Sequence, residues 1–221
     1  VLLLAFDTAT PAVTAALHDG ERVLAESTVV DARRHGELLM PAVDRVLTAA
    51  GATMPEVTGV VVGVGPGPYT GLRVGLVTAA AFGDALDVPV YGLCTLDGLA
   101  WAAGEAGLDG PFVVATDARR KEVYWARYDG PRLRITEPAV NRPADIAEQV
   151  GDLPAVGAGA HLYPEVFADH RPDPAHQSAG ALAALAAHRL AAGESFPPAL
   201  PLYLRRPDAQ VPAGYKAVLP K

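Results

Sequence analysis

The stretch from Val57 to Leu86 constrains this chain more than any other. It runs from Val57-Thr58-Gly59-Val60-Val61-Val62-Gly63-Val64 into Gly65-Pro66-Gly67-Pro68-Tyr69-Thr70-Gly71-Leu72-Arg73-Val74-Gly75, and then into an apolar helical pattern. An almost unbroken apolar run reads as a central strand covered on both faces. A Gly-rich turn between such a strand and a helix lets the backbone approach a ligand or another segment closely. Together they demand a layered α/β core.

The turn invites a reading as a phosphate cradle. It lacks the Gly-Lys-Ser/Thr ending of a nucleotide P-loop, and it does not fit the dinucleotide fingerprint. A second candidate is Asp7-Thr8-Ala9-Thr10, just after the first apolar run. A carboxylate followed by hydroxyls at a strand end can hold a metal-bound phosphate. Nucleotide-binding proteins of this arrangement use Asp-X-Gly-Thr; here Ala9 replaces the Gly that lets backbone meet phosphate. The plainer reading is a turn stabilised by its Asp and Thr side chains.

Around this centre the pattern predicts three antiparallel strands at the start: Val1 to Phe6, Ala12 to His18 and Arg22 to Val30. Asp19-Gly20 turns the second into the third. Val23, Ala25, Ser27 and Val29 share one face of the third. A helix over Gly36 to Ala50 carries two stripes, Leu38-Ala42-Val46 and Leu39-Val43-Leu47, with Pro41 inside the pattern and Gly51 after it. A helix from about Gly71 to Leu86 and a strand over Val88 to Leu93 follow the turn. The order β-β-β-α-β-α-β is that of a ribonuclease H-like half.

The second half repeats strands before helices. It predicts a helix at Leu96 to Ala106 and strands at Phe112 to Thr116, Glu122 to Tyr128 and Arg132 to Thr136. A short helix at Pro143 to Val150, a strand at Ala155 to Gly159 and an Ala-rich helix at Ser178 to Ala192 follow. The expected division is a lobe over residues 1–95, a lobe over 96–205 whose late helix packs back on the first, and an irregular tail over 206–221.

With a net charge of −7, the chain is a poor binder of nucleic acid on its own. Its single cysteine, Cys94, permits no internal disulfide and points to a reducing, cytoplasmic setting. No run approaches a membrane span in length. The six histidines form no His-X-X-X-His pair, and there is no Gly-X-Ser-X-Gly elbow. His35 and Glu37 open the first helix with no third group for acid–base work. Asp117-Ala118-Arg119-Arg120-Lys121-Glu122 reads as a charged turn between strands, able to touch an anion or merely solvated. No catalytic centre, cofactor or metal is expected within the chain.

Five blocks in order resemble the TsaB (YeaZ) family of bacterial tRNA threonylcarbamoyladenosine biosynthesis proteins. They are Leu4-Ala5-Phe6-Asp7-Thr8-Ala9-Thr10, His35-Gly36-Glu37-Leu38-Leu39-Met40-Pro41, the Gly65 to Gly75 turn, Asp117-Ala118-Arg119 with Glu122-Val123-Tyr124, and Pro201-Leu202-Tyr203-Leu204-Arg205. Gly36 stands where the family usually has Ser, and Lys121 where Gly is common. The resemblance implies a two-lobed actin-like/Hsp70-like ATPase fold. It implies a non-catalytic subunit of the complex that places threonylcarbamoyl on N6 of the adenosine next to the anticodon in tRNA. Its implied partners are the catalytic paralogue TsaD and the ATPase TsaE, with tRNA met only through the complex.

In that family the pairing surface is built on the two helices of the first lobe. The matching positions are His35, Glu37, Leu38, Leu39, Ala42 and Val46 on one helix, and Leu72, Arg73, Leu76, Ala79, Ala80 and Gly83 on the other. The same face is expected to form a homodimer when the chain is alone. The alternative is a small ATP-dependent phosphotransferase of the same superfamily, using Asp7 and the Gly65 turn. A peptidase reading lacks a nucleophile or metal site in the sequence.

Overall fold

The computed structural model describes residues 1–205, so the tail expected over 206–221 lies outside the described residues. The first sheet is formed by β1 (Leu3–Asp7), β2 (Ala12–His18), β3 (Val23–Val30), β4 (Gly59–Gly63) and β5 (Val90–Leu93), in the order β3-β2-β1-β4-β5. The first three strands are antiparallel, and β4 and β5 join in parallel on the other side. The parallel strands are reached through α1 (His35–Ala50) and α2 (Tyr69–Leu86).

Alternation across the pleat divides the core. Leu4, Phe6, Val60 and Val62 face α1 and α2, where they meet Leu39, Ala42, Val43, Val46 and Ala79. Leu3, Ala5 and Val61 face the opposite way and pack on Leu182, Ala183 and Ala186 of the helix Ala179–Ala191. Pro41 is accommodated without ending α1, which runs to Ala50 and closes on Gly51 at φ 65°, its N–H bonded to Leu47 and Thr48 carbonyls.

The second sheet follows α3 (Thr95–Glu105). It contains β6 (Pro111–Asp117), β7 (Val123–Asp129), β8 (Ala139–Asn141) and β9 (Ala155–Val156), in the order β8-β7-β6-β9. Its two faces bury Phe112, Val114, Ala126 and Tyr128 against α3, and Val113, Ala115, Val123 and Trp125 against Ile146, Val150 and Phe167. Two short helices, α4 (Ala147–Val150) and α5 (Ala158–Leu162), precede α6 (Ala179–Ala191). Ser178 caps α6 by accepting the Ala181 N–H at 3.0 Å. After α6 the chain crosses back beneath the first sheet, where Leu202 N–H donates to the Val64 carbonyl.

Three expectations need correction. Residues 132–136 form no strand; only Tyr128 and Arg134 make an isolated bridge, and the third strand of that edge is β8. Asp129-Gly130 therefore opens a wider loop. The strand expected at Ala155 to Gly159 stops at Val156, because Gly157 takes φ 98° and starts α5. Val23 leaves the face of Ala25, Ser27 and Val29: the ladder pairs Leu17 with Ala25 but His18 with Val23, a bulge that skips Leu24. Val23 then reaches the α6 side, close to Gly180.

Candidate functional site

The two turns singled out in the sequence meet at the base of the cleft between the sheets. Asp7 ends β1 fully buried. Its Oδ1 accepts the Ala9 N–H at 2.6 Å and its Oδ2 accepts the Thr95 hydroxyl at 2.7 Å. Burial pushes the Asp7 carboxyl up to about 6, against the opposing pull of the Ala9 amide, the Thr95 hydroxyl and the His35 charge.

The glycines serve this packing. A Cβ at Gly63 would overlap the Asp7 carboxylate, and one at Gly67 would overlap the Ala9 carbonyl. The Thr8 hydroxyl donates to the Gly71 carbonyl at 2.8 Å and accepts the Gly75 N–H at 2.9 Å. The Gly-rich turn is thus clamped onto the Asp7 turn. The backbone space in which an Asp-X-Gly-Thr turn would receive a phosphate holds protein atoms instead, and the Asp7 oxygens are already engaged. The residues present leave no backbone opening for a phosphate at the Asp7 turn. Among the described residues there is also no group of three His, Cys, Asp or Glu able to hold a metal ion.

Above this closed floor lies a shallow cleft of about 180 Å³, lined among others by Thr8, Thr10, Arg33, His35, Thr70 and Arg119. His35 Nε2 lies 2.8 Å from the Thr10 carbonyl, bracing the start of α1 against the first turn. The charged turn forms the far wall. Arg119, Arg120 and Lys121 have φ of 61°, 56° and 62°, three successive left-handed residues without a glycine. The turn is held by the Arg119 N–H donating to Asp117 at 2.7 Å and by the Arg205 guanidinium, which pairs with Glu122.

A larger cavity, about 430 Å³, lies between α3, α6 and residues 131–137. Asp97 and Glu137 face Arg132, Arg134 and Arg189 there. Asp97 accepts from the Tyr128 hydroxyl at 2.9 Å and from Arg134 at 2.8 Å, and Arg189 stands 3.6 Å away. Burial and the nearby Asp97 push the neighbouring Cys94 thiol up to about 12.

The structure separates the helical positions named from the sequence. Leu39, Ala42, Val46, Leu72, Ala79 and Gly83 are buried, facing the chain's own sheet or its neighbouring loops. Another chain cannot reach those side chains while the helices stay seated. Leu38 and Leu76 are half-buried and pack on the edge of the same core. Glu37, Arg73 and Ala80 are exposed. The outer face carries residues that the sequence reading left out: Met40, Val77 and Tyr69 are 47%, 62% and 55% exposed. Tyr69 stacks on Tyr203 with ring centres 5.3 Å apart, and the Arg73 guanidinium lies 5.0 Å from the Tyr69 ring centre. The spacing of Tyr69, Arg73 and Val77 at every fourth residue is the signal that marks them as one face.

The family model described as TsaD, tRNA N6-adenosine threonylcarbamoyltransferase, matches residues 22–166. An uncharacterised protein of Mycobacterium tuberculosis is 48% identical over 94% of this chain and 93% of its own length. The Escherichia coli tRNA threonylcarbamoyladenosine biosynthesis protein TsaB is 32% identical over 74% of each chain. The solved structure of YeaZ from Pseudomonas aeruginosa superimposes with a TM-score of 0.78 at 30% identity, covering 92% of this chain and 99% of its own. The two mixed sheets with their helices are accordingly the two lobes of an actin-like ATPase fold. Sequence, fold and the order of the blocks agree, and the chain belongs to the TsaB (YeaZ) family.

Proposed function

We propose that this chain, with residues 1–95 and 96–205 as its two lobes, is a non-catalytic subunit of the complex that forms N6-threonylcarbamoyladenosine in tRNA. In this reading it works in the cytoplasm, pairs with the catalytic paralogue TsaD and supports its activity; TsaE joins the pair. The observation that carries the reading is the filled cradle: Gly67 sits against the Ala9 backbone, and both Asp7 oxygens accept hydrogen bonds inside the protein. A fold that has given its phosphate space to packing is suited to act through its surface. The exposed Met40, Tyr69 and Val77 on α1 and α2 supply that surface, with Glu37, Arg73 and Ala80 beside them. The same face would close a two-fold dimer when no paralogue is present.

Reconstitution tests the role. Modification of tRNA by TsaD is expected to rise on addition of this chain; equal modification without it would remove the proposal. Calorimetry with ATP and magnesium on the isolated chain separates it from the phosphotransferase alternative, which requires binding near or below millimolar. Light scattering at tens of micromolar is expected to give a dimer mass.

A further inference from the structure

We infer that the cationic rim of the cleft is a contact surface for the phosphate backbone of the tRNA, so that this subunit helps to hold the substrate as well as its partner. The inference rests on the functional reading above.

The chain carries a net charge of −7, and six of its 18 Lys and Arg residues stand on this rim. Arg33 and Arg119 line opposite walls of one cleft. Arg120 and Lys121 continue outward from Arg119, all three exposed. Arg205 reaches the same turn, donating to the Arg119 carbonyl at 3.4 Å, and Arg34 adjoins Arg33. These six cations share the region with four carboxylates, Asp31, Glu37, Asp117 and Glu122, of which Asp31 pairs with Arg34, Asp117 with Arg119 and Glu122 with Arg205. The rim is thus locally positive on an acidic protein.

Three features favour a nucleic-acid backbone over a small anion. The floor is filled, which leaves a cleft of about 180 Å³ above it, too small to enclose a nucleotide. Asp117 lies in the lining and opposes a compact, highly charged phosphate cluster, whereas a strand can space its phosphates along the rim. The Arg119–Lys121 turn leaves three successive cations exposed on the rim, with Arg119 also 3.2 Å from Asp117.

The test is tRNA binding by the assembled complex, using a full-length tRNA transcript and a variant carrying Arg33→Gln, Arg119→Gln and Lys121→Gln. Pairing with TsaD is first measured without tRNA. Loss of pairing by the unaltered chain would fail the functional reading, and this inference with it. With pairing intact, the variant complex is expected to bind tRNA about tenfold more weakly. The slope of log affinity against log salt should fall by about two to three. Unchanged affinity and slope would overturn the inference and leave the functional reading standing. An unchanged slope together with lost ATP binding would assign the rim to a free nucleotide instead, and would also overturn it. If the triple variant does not fold, ultraviolet cross-linking of tRNA to the unaltered complex decides. Cross-links to peptides containing Arg33 or residues 119–121 are expected, and their absence would overturn the inference.

Discussion

The Thr95 hydroxyl donates to the Asp7 carboxylate at 2.7 Å, joining residues 88 positions apart at the point where the first sheet gives way to α3. The same hydroxyl accepts the Gly65 N–H at 3.2 Å, so one threonine side chain ties the Asp7 turn to the Gly-rich turn. This bond makes Asp7 a packing element of the fold, and it shapes what changing the base of the cleft will do.

Asp7 makes stability depend on pH. Its carboxyl is raised from 3.8 to about 6 in the folded state, so between those values the native protein holds a proton that the unfolded chain has released. Stability therefore falls as pH rises from about 4 to about 6, by roughly 3 kcal/mol across the window at about 1.4 kcal/mol per unit. Asp7→Asn is expected to flatten that slope. Urea denaturation at pH 4, 5, 6 and 7 measures it; identical slopes in both proteins would contradict the assignment.

The buried and exposed positions of the two helices should behave oppositely. Leu39→Arg places a charge in the core and is expected to cost at least about 3 kcal/mol or to prevent folding. Val77→Arg lies on the outer face, 62% exposed, and is expected to leave stability within about 0.5 kcal/mol while weakening self-association or pairing. Thermal melts paired with sedimentation or calorimetry read both. Undiminished association in the Val77 variant would move the interface elsewhere.

Gly67→Ala drives a methyl group into the Ala9 carbonyl, a backbone atom that cannot rotate away. A loss of about 1–3 kcal/mol or more is expected. Gly36→Ala, where nothing stands within 4 Å, serves as the control and should be neutral or slightly stabilising in the first turn of α1. Chemical denaturation of the pair gives the comparison.

Lys121→Gly relieves a left-handed residue at φ 62°. Stability should rise by about 1 kcal/mol, the strain removed less the added freedom of the unfolded chain. A decrease would mean that the lysine side chain contributes more to the folded turn than its backbone costs.

Much of this protein was legible in its sequence because the signals were local. Periodicity marked the three opening strands, α1, α2 and α6, and Ser178 and Gly51 marked their ends through capping chemistry. The order of strands and helices, together with the apolar run at β4, specified the α/β layering. Short elements escaped. β8 has three residues and exists because Trp125 and Tyr124 on β7 offer it an edge, a property of the neighbour rather than of its own sequence. The bulge beside Val23 shows the same dependence on a partner strand.

The sequence alone marked the turns that border the cleft: a carboxylate with hydroxyls after β1, a run of glycines after β4 and a cationic turn after β6. Ala9 already argued against a phosphate there. Only the tertiary structure decided that the first two turns consume each other, because a glycine's missing side chain leaves room equally for ligand or for protein, and contact between residues 9 and 67 settles which. Tertiary packing likewise decided which stripe of each helix faces the sheet. An apolar stripe reports that something must cover it; here the chain's own strands cover Leu39, Ala42, Val46 and Ala79, and the outward face falls to Met40, Tyr69 and Val77.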